Sequence, residues 1–246
     1  LEDNTTGNYN VAVGNNALDE NTGSYNTAVG WRSMSNGAAG NQNSACGMET
    51  LRDVTTGQYN SAIGRSAGEQ LTTGENNTLL GRNAGRSGSP SGQITTGSNN
   101  VCLGDDNVGA LFCADTSISS SDARDKTDIE DFNHGLSWIT KLRPVTYRWD
   151  KRSWYVDDPT TSINEGVPDG SKKRPRLHIG FLAQEHLEVE KEHGFGDTPD
   201  NMLVTNLTED EERYGMKYER LVPVLVNAVK ELSAKNDELA AEIASL

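Results

Sequence analysis

Few side chains in this sequence have the type and spacing to do chemistry. Four histidines, His134, His178, His186 and His193, show no metal-ligand spacing and are expected to be satisfied structural residues. Three cysteines, Cys46, Cys102 and Cys113, are odd in number and likewise lack ligand spacing, so neither a disulfide framework nor a zinc site is expected. The acidic residues of the first half do not recur as the carboxylate pair that sugar hydrolysis requires, which ranks a sugar-active enzyme last. What remains is Ser121 with Lys126 five positions later, just after the small, polar run Thr116-Ser117-Ile118-Ser119-Ser120. A serine hydroxyl is a poor nucleophile until a base takes its proton, and a lysine serves as that base only when burial or a nearby cation lowers its pKa. Arg124 is such a cation by sequence. Taken alone, Ser-x-x-x-x-Lys is a weak signal and reads as a linker serine and a solvated lysine.

Two very different halves must position these residues. Before residue 121 the pattern G-x-x-N-x-x-x-G recurs six times, at Gly7–Gly14, Gly23–Gly30, Gly40–Gly47, Gly57–Gly64, Gly74–Gly81 and Gly97–Gly104. The repeat is 16 or 17 residues long, except for a last interval of 23 that holds the Gly88-Ser89-Pro90-Ser91-Gly92 insertion, an expected surface loop. Ahead of the second glycine stand Val13, Val29, Cys46, Ile63, Leu80 and Leu103, preceded by Ala12, Ala28, Ala45, Ala62, Leu79 and Cys102. These segments are too short and too glycine-flanked for helices and predict short strands, with Cys46 and Cys102 as small buried apolar residues. A unit with one or two inward apolar positions cannot bury a core alone. Residues 1–120 are therefore expected to form an all-β repetitive fibre, a triple β-helix or β-solenoid in an intertwined homotrimer, with a junction linker over 110–120. The pattern resembles the Gly/Asn repeats of phage tail fibres and trimeric adhesin heads. The recurring Asn is expected to bond the backbone of the next turn rather than to read sugars.

After residue 121 glycine thins out, and all four histidines and three of the four tryptophans appear. Ile129, Phe132, Leu136, Ile139 and Leu142 predict one amphipathic helix ending before Pro144. Val145, Tyr147 and Trp149 alternate as in a strand. Residues 157–175 read as an excursion loop, whose basic run Lys172-Lys173-Arg174 is expected to be solvated. Leu177–Ala183 reads as a strand leading into a helix at Gln184-Glu185. Val222, Val229, Asn236 and Ile243 alternate with Leu225, Leu232, Leu239 and Leu246 in heptads, predicting a coiled coil over 222–246 with Pro223 in its first turn and Asn236 setting register.

Ser121-Asp122-Ala123-Arg124-Asp125-Lys126, then Leu142-Arg143-Pro144-Val145-Thr146-Tyr147, Gly180-Phe181-Leu182-Ala183-Gln184-Glu185 and Tyr218-Glu219-Arg220-Leu221 before the coiled coil resemble, in this order, the peptidase S74 intramolecular chaperone domain. The resemblance implies that 121–246 is an α+β chaperone domain ending in a trimeric coiled-coil helix. It implies an autoproteolytic serine endopeptidase with Ser121 as nucleophile, Lys126 as its partner and Ser120–Ser121 as the cut bond, with no cofactor and no metal. The implied setting is a phage tail fibre or spike in the virion, and the implied partners are two further copies of the chain, its own fibre as client and substrate, and a host receptor of sugar or protein. The alternative is a structural trimeric adhesin or fibre tip with a permanently attached, inactive cap. Asp122 and Asp125 are expected to be caps or salt-bridge partners. The formal charge of −14 and the absence of a long apolar run argue against nucleic-acid binding and membrane insertion.

Overall fold

The computed structural model describes residues 4–37, 39–112, 121–158 and 161–245. Cys113, the junction 113–120 with Ser119 and Ser120, and Leu246 of the heptad lie outside them. Two compact units are formed: Leu1–Ala110 with Trp149–Pro175 and Thr208–Arg213, and Leu111–Arg148 with Arg176–Leu207 and Tyr214–Leu246.

In the first unit each repeat supplies one three-residue strand: β1 (Val11–Val13), β2 (Thr27–Val29), β3 (Ser44–Cys46), β4 (Ser61–Ile63), β5 (Thr78–Leu80) and β6 (Val101–Leu103). They stack in sequence order as one parallel six-stranded sheet, each paired in register with the next coil of the same chain, which is the β-solenoid arrangement. Strand side chains alternate in direction, so the two apolar positions of each unit part company. Ala28, Ala45, Ala62, Leu79 and Cys102 point inward and are buried with Leu18, Met34, Leu51 and Leu71. Val13, Ile63, Leu80 and Leu103 point outward and are exposed, and so is Cys46, contrary to the burial expected of it.

The repeated Asn has a structural task. Asn43 Nδ2 donates to Gly57 O one coil on at 2.9 Å, while its Oδ1 accepts the backbone N–H of Asn60 at 2.9 Å. The same pair of bonds recurs from Asn26, Asn60 and Asn77, all fully or almost fully buried. These amides are committed to the ladder, as the backbone-bonding expectation held. Glycine opens each unit because a Cβ there would strike the carbonyl of the next coil: Gly57 faces Gly74 O at 2.5 Å, and Gly74 faces Gly97 O at 2.3 Å.

In the second unit, β7 (Val145–Tyr147) pairs antiparallel with β8 (His178–Gly180), and β9 (Thr205–Leu207) with β10 (Tyr214–Met216). The helices are α1 (Leu136–Ile139), α2 (Ala183–Glu192) and α3 (Leu221–Ala244). Trp138 centres a core with Val189 and Val224, against which Phe132, Leu142 and Phe195 pack. The helix expected over 129–142 is four residues long. Tertiary partners take the bonds that would have extended it: Asn227 Nδ2 donates to Phe132 O, and Glu231 accepts the Leu136 N–H at 2.9 Å. Gly135 lies so close to α3 that a Cβ would come within 2.6 Å of Ala228 N.

Helix α3 has two apolar sides. Leu221, Val224 and Ala228 are buried within the chain, whereas Val222, Leu225, Val229, Leu232, Leu239 and Ile243 of the heptad seam are exposed.

Candidate functional site

The site begins with a tight turn. Asp122, in extended conformation, caps a 3-10 turn over Ala123–Asp125 by accepting the Arg124 N–H at 2.9 Å. Its two oxygens also take the Arg124 guanidinium, at 3.0 Å from Nε and 2.5 Å from Nη2. That guanidinium holds the Asp122 carboxyl below the usual carboxylate range, and Asp122 in turn raises Arg124. Lys126 N–H closes the turn on Ala123 O. The chain thus doubles back within five residues and brings Lys126 Nζ to 2.7 Å from Ser121 Oγ. Both side chains are exposed. Arg124, the cation near them in sequence, is taken up by Asp122 and so brings little net positive charge to the lysine. Ser120 lies outside the described residues, and with it the carbonyl that would be attacked. The geometry can support nucleophilic chemistry at Ser121 whenever Lys126 is neutral, since the two atoms are within the reach of a proton transfer.

The supporting motifs show their physical reasons. Gly180 leaves room for a tyrosine: a Cβ there would come within 2.5 Å of Tyr218 Oη, which accepts the Phe181 N–H at 3.1 Å. Arg143 grips Glu185 with Nε 3.1 Å from Oε2 and a second bond from Nη2. The segments Leu142–Tyr147, Gly180–Glu185 and Tyr218–Leu221 are therefore joined to one another. Of the basic run, Lys172 donates to Trp154 O and stands over the Tyr155 ring, and the Arg174 guanidinium lies 4.9 Å from the Trp154 ring centre. Its bonds go to the neighbouring turn Arg152–Tyr155.

His134, His186 and His193 gather around Trp138, with His186 alone buried, while His178 stacks on Tyr147; no group of three His, Cys, Asp or Glu able to hold a metal ion occurs among the described residues. Trp138 Nε1 donates to His186 Nε2 at 3.3 Å, which leaves the ring proton on Nδ1, 3.1 Å from Glu190 Oε1. His193 is bonded to Val189 O and Ser137 Oγ, and His134 stacks edge-on against it. Glu190, which sequence reasoning passed over, is fully buried and accepts the N–H groups of Leu203, Val204 and Thr205. Burial alone would push its carboxyl up, but His186 and the three amides outweigh it and hold the pKa at about 2. Its place in an ordinary helical Glu pattern carries no signal of this.

No helix among the described residues is long and apolar enough to cross a membrane. No curated protein and no solved structure matches the chain. Residues 121–195 match the family model of Peptidase_S74, described as chaperone of endosialidase, and the match begins at Ser121.

Proposed function

We propose that residues 121–246 form an intramolecular chaperone that trimerises through α3, folds the Gly/Asn-rich solenoid of residues 1–120 as part of a phage tail fibre or spike, and then releases itself by cutting Ser120–Ser121. The observation that carries the reading is the 2.7 Å approach of Lys126 Nζ to Ser121 Oγ at the first residue of the family match. In the proposed reaction neutral Lys126 takes the hydroxyl proton as Oγ bonds to the Ser120 carbonyl carbon. The Ser120–Ser121 C–N bond breaks, the Ser121 nitrogen gains a proton, and the acyl group is left on Oγ as an ester. Water hydrolyses the ester to a Ser120 carboxylate and free Ser121. The exposed heptad seam supports the trimer, because a helix already packed on its own chain through Leu221, Val224 and Ala228 still presents a second apolar stripe. Placement in the virion and a host receptor for the released fibre follow from this reading.

A second reading, a permanently attached and inactive cap, is favoured by one feature: the Ser121 and Lys126 side chains are both exposed to solvent rather than enclosed in a site. A denaturing gel of the full-length chain decides between them. Two fragments of about half the chain each are expected, the second beginning at Ser121 by mass spectrometry, and both Ser121→Ala and Lys126→Ala remain whole. Lys126→Arg also remains whole, because a guanidinium does not give up its proton at accessible pH. A single intact band from the wild-type trimer establishes the inactive cap.

A further inference from the structure

The solenoid does not stop with a bare edge. In the inner coil that opens at Thr55-Thr56-Gly57 the backbone N–H groups of the turn are taken by the following coil: Thr56 and Gly57 donate to Thr72 O at 3.3 and 3.2 Å, and two residues ahead of that turn Asp53 donates to Glu69 O at 3.0 Å. Among the described residues no coil follows the last turn, Thr95-Thr96-Gly97. Its donors go instead to the Thr208–Arg213 turn that joins β9 to β10 and belongs to the same compact unit. Thr96 and Gly97 N–H donate to Glu209 Oε1 at 2.9 and 3.0 Å, and Gln93 N–H, the counterpart of Asp53, donates to Asp210 Oδ2 at 2.6 Å. The coincidence extends to space. A Cβ on Gly57 would lie 2.5 Å from Gly74 O and one on Gly74 2.3 Å from Gly97 O, while one on Gly97 would lie 2.3 Å from Glu209 Oε2.

We infer that the Glu209-Asp210 turn is a client-recognition element that stands in for a next coil, its carboxylate oxygens occupying the places of the carbonyls that coil would present. The turn is itself held in place. Arg213 donates to Asp106 Oδ2 at 2.7 Å, just after β6, and to Ser87 O in the longer interval of the solenoid, and Thr208 Oγ1 and the Glu212 N–H bind Asp210 Oδ1. Charged acceptors make stronger bonds to amides than carbonyls do, so two side chains replace a whole coil's edge. An unpaired parallel edge would otherwise template the addition of another strand, and covering it is the usual remedy. The partner recognised is the final Thr-Thr-Gly coil, and selectivity comes from Gly92 and Gly97, because a side chain at either would strike a carboxylate oxygen at 2.5 Å or closer.

This inference rests on the reading of residues 121–246 as a folding aid for the solenoid, and its test is independent of whether Ser121 cuts. The full chain carrying Ser121→Ala, which keeps the turn covalently attached, is compared with the same chain bearing Glu209→Ala and Asp210→Ala, and with Glu209→Gln and Asp210→Asn. Amide hydrogen exchange is read at Gln93, Thr96 and Gly97, with Thr56 and Gly57 as internal controls. The Ala pair is expected to exchange at least about tenfold faster at the three terminal amides and unchanged at the controls, whereas the Gln/Asn pair, whose amide oxygens still accept, keeps most of the protection. Failure of the Ala pair to give soluble chain while the Gln/Asn pair does so is the expected result for an acceptor needed during folding. Unchanged protection in the Ala pair, or insolubility of the Gln/Asn pair, overturns the inference. A wild-type chain that never cuts overturns the proteolytic reading and leaves this one standing.

Discussion

At the scale of single residues, Glu190 sets how the second unit answers to acid. Its folded pKa of about 2 lies below the ordinary carboxylate value of 4.5, so the carboxylate form is the one that folding favours. The stabilisation is fully present above about pH 4.5 and is lost as the pH falls toward 2, amounting to about 3 kcal/mol if the whole shift is realised. Glu190→Gln is expected to remove stability of that order at neutral pH and to flatten the acid limb of the stability profile, which denaturant titrations at pH 7 and pH 3 would reveal. Equal loss at both pH values would show that the carboxylate's charge plays no part. The sequence makes Ser121 and Lys126 legible as a pair because the turn between them is local and Asp122 is a recognisable cap. Glu190 and the Glu209-Asp210 pair are not legible, since their meaning comes from amides more than ten residues away in sequence, and over a hundred away for Glu209.

At the scale of elements, each of the four inner solenoid coils is defined by one buried amide, Asn26, Asn43, Asn60 or Asn77. Asn60→Ala removes the acceptor of the Asn77 N–H and the donor to Gly74 O together, leaving buried groups unpaired at about 1–3 kcal/mol each. Thermal unfolding should show a clear loss for Asn60→Ala and a far smaller one for Gln58→Ala, which lies outside the ladder. Equal effects would mean that the ladder is not what holds the coils. The parallel stacking could be read in advance from the spacing of G-x-x-N-x-x-x-G, because a fixed repeat places like residues above one another. Which of two adjacent apolar positions faces inward could not be, and Cys46 turned outward for that reason: a three-residue strand sends neighbours to opposite faces, and the pattern is apolar at both. The helix read over 129–142 failed for a different cause. Its periodicity is real, and Phe132, Ile139 and Leu142 do pack on the Trp138 core, but Asn227 and Glu231 of α3 captured its backbone in another conformation. Periodicity reports which side chains are buried; it does not report which backbone partner wins.

At the scale of the whole molecule, one chain leaves apolar surface uncovered in each unit: the outward row with Val13, Ile63, Leu80 and Leu103 on the sheet, and the heptad seam on α3. Only 34% of the residues are apolar, so a single copy has little core to spare, and exposed rows of this regularity are expected to be buried between copies. Parallel coils also assemble slowly, because each strand pairs with a residue 16 or more positions away and the chain entropy of closing that loop is lost before its contacts form. In the proposed trimer, a coiled coil that gathers three chains first would remove part of that cost by holding the copies in register. The expected outcome is that the intact chain runs as a trimer in light scattering, and that Leu225→Asp with Leu232→Asp, which places charge in the seam without touching the Trp138 core, gives monomeric or insoluble chain. A chain ending at residue 120 is likewise expected to be insoluble when synthesised alone, whereas a trimer from which 121–246 has been removed after assembly keeps its circular dichroism and its size, since the stacked coils then need no further registration. Soluble, native solenoid from the truncated chain, or a trimer unaffected by the two seam aspartates, would show that the coils find their register without the C-terminal half.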